Sequence, residues 1–148
     1  MGALNPDSGA PKPAIPDGRH ALAALLVRAA RASEVYDDRQ IAQIDAILAR
    51  RFDLPVPDAD KLRLSAADYE QRAGDTVHLT RAIKEIVPLD ERPSLLEDLW
   101  CVILADGGRH ENEDGLMRLV SNLLGLADRE SAFARQKVMA RNAGIHTA

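Results

Sequence analysis

The chain has 148 residues, 46% hydrophobic but only 3% aromatic, with a formal net charge of −4. That length holds one core and is too short for two, and the core must be filled with Leu, Ile, Val and Ala, which favours packed helices over strands. An acidic chain is a poor match for nucleic acid, and the single cysteine, Cys101, rules out a disulfide framework within the chain and permits a reducing compartment.

Residues 1–18 contain four prolines (Pro6, Pro11, Pro13, Pro16) and three glycines, which predicts a disordered tail. The start lacks the basic and apolar segments of an export signal, and Pro6 stands where a myristoylation motif needs Ser or Thr. The longest apolar runs, 21–27 and 99–105, fall short of the roughly 20 residues that span a bilayer. The expectation is a soluble, cytoplasmic protein.

From His20 the apolar residues recur at helical spacing: Leu22, Leu25, Leu26, Ala29 and Ala30 share a face, with Arg28 and Arg31 off it. A second helix is predicted over 38–52, with Ile41, Ile44, Leu48 and Phe52 inward. Asp37 stands at its N-cap and Gln40 three residues on, the spacing of a capping box. Pro55 and Pro57 stop that segment. A third helix covers 59–72, with Leu62, Ala66 and Tyr69 inward, and Gly74 ends it. Asp75 or Thr76 starts a fourth, with Leu79, Ile83, Ile86 and Val87 as its apolar face and Pro88 as its end. Pro93 fits the first turn of a fifth helix. Leu96, Leu99, Trp100, Val102 and Ile103 make that helix apolar nearly all round, which argues for a central position, with Cys101 a small buried residue within it. A break at Asp106-Gly107-Gly108 leads to a sixth helix with Leu116, Leu119, Val120, Leu123 and Leu124 as its stripe and Gly125 as its C-cap. Asp128 can cap a seventh, which carries Phe133, Gln136, Val138 and Met139. No convincing strand pattern is present. The fold class is therefore all-α, a single-domain bundle of about seven helices.

The segment Ala105-Asp106-Gly107-Gly108-Arg109-His110-Glu111-Asn112-Glu113 joins two apolar helical patterns and has a degraded earlier copy, Ala32-Ser33-Glu34-Val35-Tyr36-Asp37-Asp38-Arg39-Gln40. The helices that follow end in similar clusters, Phe52-Asp53-Leu54 and Leu124-Gly125-Leu126, with one gap needed to align them. The simplest architecture is a pseudo-twofold internal repeat of helix–acidic loop–helix units, with the third and fourth helices between them.

These segments carry a resemblance. Arg92-Pro93-Ser94-Leu95-Leu96-Glu97-Asp98-Leu99-Trp100, then Ala105-Asp106-Gly107 with Glu113, then Leu123-Leu124-Gly125-Leu126, together with Arg50-Arg51-Phe52-Asp53-Leu54, resemble the TerB-like family, named for a tellurite-resistance protein. The resemblance covers roughly residues 20–140 and divides the chain into a Pro/Gly-rich tail, 1–18, and a TerB-like helical domain, 19–148. It implies an all-α fold, a role in resistance to tellurite and other chemical stress, and divalent metal at the loop carboxylates. It does not deliver a reaction. The first copy departs from the pattern: Ser33-Glu34 replaces Asp-Gly and Gln40 replaces the acid, so half of any paired site is weakened.

The residues themselves support several chemistries. Asp106, Glu113 and Asp114, joined by Asp37 or Asp38, could supply the oxygens a hard cation such as Ca²⁺, Mg²⁺ or Mn²⁺ needs, and Gly107-Gly108 allows a turn tight enough to offer carbonyls. His110 would shift preference toward Zn²⁺. The metal candidates are thus Asp106 and Glu113 first, then His110, Asp114 and Asp37. The same acids also suit a plain helix start, because Glu111, Glu113 and Asp114 offset the positive end of the helix dipole. A protein-interaction module is the alternative, since Arg129, Arg135, Lys137 and Arg141 give the last helix a basic surface suited to a protein partner or to solvent. The sequence holds no nucleophile elbow, phosphate-cradling glycine loop or metalloprotease His spacing, so no enzyme is expected. His78 reads as a structural histidine, and His20 and His146 as surface residues. A helix-turn-helix reading of helices five and six is rejected, because Glu111, Glu113 and Asp114 would repel phosphate. The expectation is a non-enzymatic binding or sensing domain.

Overall fold

The computed structural model describes the backbone of residues 17–32, 36–72, 75–106 and 111–147, and the side chains of these except 106, 111, 112 and 145–147. Residues 1–16 of the expected tail, the Ser33-Glu34 segment, Gly74 and the Gly107-Gly108-Arg109-His110 loop lie outside the described residues, whereas Asp17 and Gly18, assigned to the tail, cap and open α1. Those described form seven α-helices and no strand: α1 (Gly18–Arg31), α2 (Asp38–Phe52), α3 (Val56–Arg72), α4 (Thr76–Lys84), α5 (Arg92–Ile103), α6 (Glu111–Leu123) and α7 (Asp128–Thr147). Short 3-10 turns cover Leu89–Glu91 and Leu104–Asp106. The all-α fold class read from the sequence is the one observed.

Helix α1 begins two residues before His20, because an Asp17 carboxylate oxygen accepts the His20 N–H at 2.8 Å. Gly18 fits there by its small size: a Cβ at that position would lie 2.6 Å from the Ile86 side chain. From Ala21 to Val27 every residue is 0% exposed. α1 is thus as central as α5, packing on α2, α3, α4 and α5. Its periodicity pointed to a single stripe. The small Ala21, Ala23 and Ala24 let neighbouring helices close over the opposite side as well.

Helix α2 carries the expected capping box, with Gln40 N–H donating to Asp37 at 3.1 Å and Asp37 N–H to the Gln40 side-chain oxygen at 3.3 Å. Pro55 and Pro57 do more than stop α2. The Pro55 carbonyl accepts from Asp58 and Ala59, both at 3.0 Å, and Pro57 lies in the first turn, so α3 starts at Val56 rather than at 59. The cap of α7 also differs from expectation. Asp128 is its first helical residue and is exposed; Ala127 precedes it, its N–H held by a Glu130 carboxylate oxygen at 2.9 Å while its carbonyl accepts from Glu130 N–H.

The clusters that end α2 and α6 make the same turn. Asp53 (φ 51°) and Gly125 (φ 80°) are left-handed, and the leucine after each donates its N–H to the carbonyl five residues back, Leu54 to Ala49 at 3.0 Å and Leu126 to Ser121 at 2.8 Å.

Two residues assigned to apolar stripes, Ile86 and Leu119, are exposed, and so are Phe133 and Met139 on α7. On α7 it is Ala134 and Val138 that are buried, so the helix is rotated away from Phe133 and Met139.

Arginine–carboxylate clusters stitch the helices. Glu70 on α3 receives Arg28 at 3.0 Å and Arg31 at 2.9 Å, both from α1. Arg63 on α3 meets Asp45 of α2 at 2.7 Å and also Asp60. Asp98 on α5 is gripped by Arg50 and Arg51 at the end of α2, at 2.6 and 2.5 Å. Arg92 donates at 3.0 Å to the Val87 carbonyl and at 3.0 Å to the Leu124 carbonyl, tying the chain after α4 to the end of α6.

Candidate functional site

The sequence singled out the acidic junction between α5 and α6. α5 ends in the 3-10 turn Leu104–Asp106, and α6 resumes at Glu111. Asp106 closes that turn; its side chain, and all of His110, lie outside the described residues. Glu113, in the first turn of α6, is 2% exposed. Its neighbour Asp114 is exposed and lines a separate cleft with Trp100. Successive residues on a helix point about a quarter-turn apart, so the two acids serve different surroundings. Asp37 is committed elsewhere: one oxygen caps α2 through Gln40 and the other meets Arg39 at 3.1 Å. The Gln40 N–H, assisted by Arg39, holds the Asp37 carboxyl below the usual carboxylate value. Among the described residues, no three His, Cys, Asp or Glu side chains come together as a metal cradle.

Other residues weighed from the sequence have local roles. His20 is half-buried rather than a plain surface residue: its Nε2 is hydrogen-bonded to Ser65 Oγ at 3.0 Å, and its ring meets Tyr69 edge-on at 5.4 Å. His78 is half-buried on α4, its backbone N–H donating to the Asp75 cap at 2.8 Å. Cys101 is half-buried, and burial pushes its thiol up. Of the basic residues of α7, Arg129 is exposed, Lys137 and Arg141, also exposed, lie 3.5 and 3.6 Å from Glu97, and Arg135 lies over the Trp100 ring, 5.6 Å from its centroid.

A second candidate region was not anticipated. Trp100 is buried, and its Nε1 donates to Ser131 Oγ at 3.1 Å, satisfying the indole without water. Beside it opens a cleft of about 230 Å³ between α5, α6 and α7, with Met117 in its wall and charged groups from α6 and α7 at its mouth. The signal was present in the spacing: Asp114 and Arg118 are four apart on α6, and Asp128 and Arg135 seven apart on α7, so each pair shares a helix face. Which faces would meet is a tertiary fact that periodicity alone does not supply.

No helix among the described residues is long and apolar enough to cross a membrane. No curated protein and no solved structure matches the chain. A family model described as tellurite resistance protein TerB matches residues 19–136, most of the chain and the whole bundle from α1 into α7. The segments that carry the resemblance also meet in space, Arg50 and Arg51 on Asp98, and Arg92 on the Leu124 carbonyl. The chain belongs to the TerB family.

Proposed function

We propose that this protein is a cytoplasmic, non-enzymatic binding and sensing domain of a stress response related to tellurite resistance, and that it holds a divalent cation at the junction of α5 and α6. The observation that carries the reading is Glu113, a carboxylate 2% exposed at the foot of an acidic loop. A hard cation is bound through carboxylate oxygens, and Glu113, in the first turn of α6, follows the Asp106 turn closely enough in the chain for the two acids to share one ion. Asp37 drops out of the ligand set, because its oxygens cap α2 and meet Arg39. Asp114 is weakened as a ligand, because it faces the Trp100 cleft. Asp106 and Glu113 remain, with His110 and loop carbonyls to complete the shell.

Thermal unfolding of the chelator-treated protein, titrated separately with Ca²⁺, Mg²⁺, Mn²⁺ and Zn²⁺, tests this. A cation at 100 times its Kd adds about 2.7 kcal/mol, which should raise Tm by about 5 °C in a domain of this size. The rise should saturate with one ion and disappear in Asp106→Asn and Glu113→Gln. No rise with any ion would leave these acids as helix-start residues.

One observation favours an adaptor as the second reading. Leu89 and Phe133 are 56% and 61% exposed on either side of Pro93, rimmed by Asp90 and Glu130. Exposed apolar residues framed by acids suit the apolar side chains of a protein partner with flanking basic residues. This surface is a better dock than the α7 basic face, whose Lys137 and Arg141 already meet Glu97.

A further inference from the structure

We infer that the cleft between α5, α6 and α7 binds a small zwitterion of the amino-acid class, with an apolar side chain. Trp100 and Met117 provide its apolar wall, both almost fully buried. α6 contributes Asp114 and Arg118, and α7 contributes Asp128 and Arg135. Two carboxylates and two guanidiniums thus line one small space. Elsewhere in this fold an acid and an arginine that face one another pair within 4 Å, as at Glu70, Asp45 and Asp98. Here no ion pair links any of the four among the described residues, so all are available to a ligand.

The chemistry of the four groups selects the ligand. A guanidinium offers paired N–H donors that match a carboxylate, and Arg135 is already oriented by the indole beneath it. The carboxylates of Asp114 and Asp128 match an ammonium group. A purely anionic ligand would leave the two acids opposed to it, and a purely cationic one the two arginines. Size sets a second limit. At about 230 Å³ the cleft is smaller than the roughly 300–1,000 Å³ of pockets that enclose drug-sized ligands. A single amino acid fits that limit, with its side chain against Met117 and the indole edge. The inference is independent of the cation reading: none of its evidence involves Asp106 or Glu113, and it is tested with chelator present.

The only tryptophan in the chain lies in the wall of the cleft, so its emission reports occupancy. The full chain, in chelator, is titrated with L-leucine, L-methionine and L-valine, and with two single-charge analogues of leucine, isocaproate (no ammonium) and isopentylamine (no carboxylate). Calorimetry follows the same titrations as a second readout. At least one amino acid should bind saturably, with both analogues about tenfold weaker or more, the loss of one charge-assisted contact. In Asp114→Asn/Asp128→Asn, both sites being exposed, leucine should fall to the level of isocaproate. In Arg118→Gln/Arg135→Gln it should fall to the level of isopentylamine. Absence of saturable binding by both readouts overturns the inference, and so does an analogue that binds as tightly as its parent amino acid or a double variant that keeps the preference.

Discussion

Asp37 and Glu113 lie in the two acidic segments, where Glu113 aligns with Gln40 rather than with Asp37, and their carboxylates meet different surroundings. Asp37 accepts the Gln40 N–H and faces Arg39, which lowers its pKa from 3.8. A group whose folded pKa is depressed contributes stability above its unfolded value and loses it as pH falls through the folded one. Asn also caps helices well, so Asp37→Asn removes the charge and keeps a cap. The variant should be less stable than the parent by a constant margin near neutral pH. That margin should close as pH drops below 3.8, seen in urea midpoints measured across the acid range. A margin independent of pH would mean that the Asp37 charge adds nothing to its cap. The Asp37–Gln40 pair was legible in the sequence because a capping box is a local device with a fixed three-residue spacing. The burial of Glu113 was not, since nothing in its own helix turn distinguishes it from Asp114. Packing decides which of two adjacent acids turns inward.

Helix order, and most helix ends, were legible for the same local reason. Prolines, caps and left-handed turns act within a few residues. The exceptions are instructive. Pro55 and Pro57 read as stops, yet proline is equally at home in a first turn, and α3 uses both residues to begin. Exposed Phe133 shows the limit of a 3.6-residue stripe, because α7 turns its small Ala134 inward and leaves the aromatic ring outside. The two left-handed ends of α2 and α6 make a matched pair of experiments. Gly125 sits at φ 80°, where an added Cβ is strained although its nearest neighbour, Leu89 Cδ1, is 3.7 Å away. Gly125→Ala should therefore destabilise through backbone strain alone, by about 1 kcal/mol. Asp53 holds φ 51° with a side chain, so Asp53→Gly should relieve strain and stabilise by about 0.5 kcal/mol. Chemical denaturation of both variants reads the two signs. If both variants lost stability, the Asp53 side chain would be supporting its turn rather than straining it.

At the scale of the whole molecule, the question is whether α1–α4 and α5–α7 act as one body. Among the contacts that join them, which include α4 against α6, two features matter most. α1 buries every residue from Ala21 to Val27 and packs on helices from both groups, α3 and α4 from the first and α5 from the second. The second feature is Asp98, 6% exposed on α5 and held by Arg50 and Arg51 from α2. The sequence displayed both parts of that clamp as separate segments, but not their meeting, because charge pairing across helices leaves no period in either. Losing the carboxylate would strand Arg51, whose side chain is only 14% exposed, without its main partner; Arg50 is largely solvated and would suffer less. Breaking a buried pair from one side is strongly unfavourable, so Asp98→Ala should destabilise by about 3 kcal/mol, and Arg50→Ala by less than about 1 kcal/mol. A domain of this size is expected to unfold in one step. Trp100 reports on α5–α7, and far-UV circular dichroism reports on all the helices, so in the parent the two transitions should coincide in urea. In Asp98→Ala both midpoints should fall together if the remaining packing between the helices keeps the halves coupled. A Trp100 transition that runs ahead of the loss of helix would instead show the clamp to be what makes the bundle cooperative.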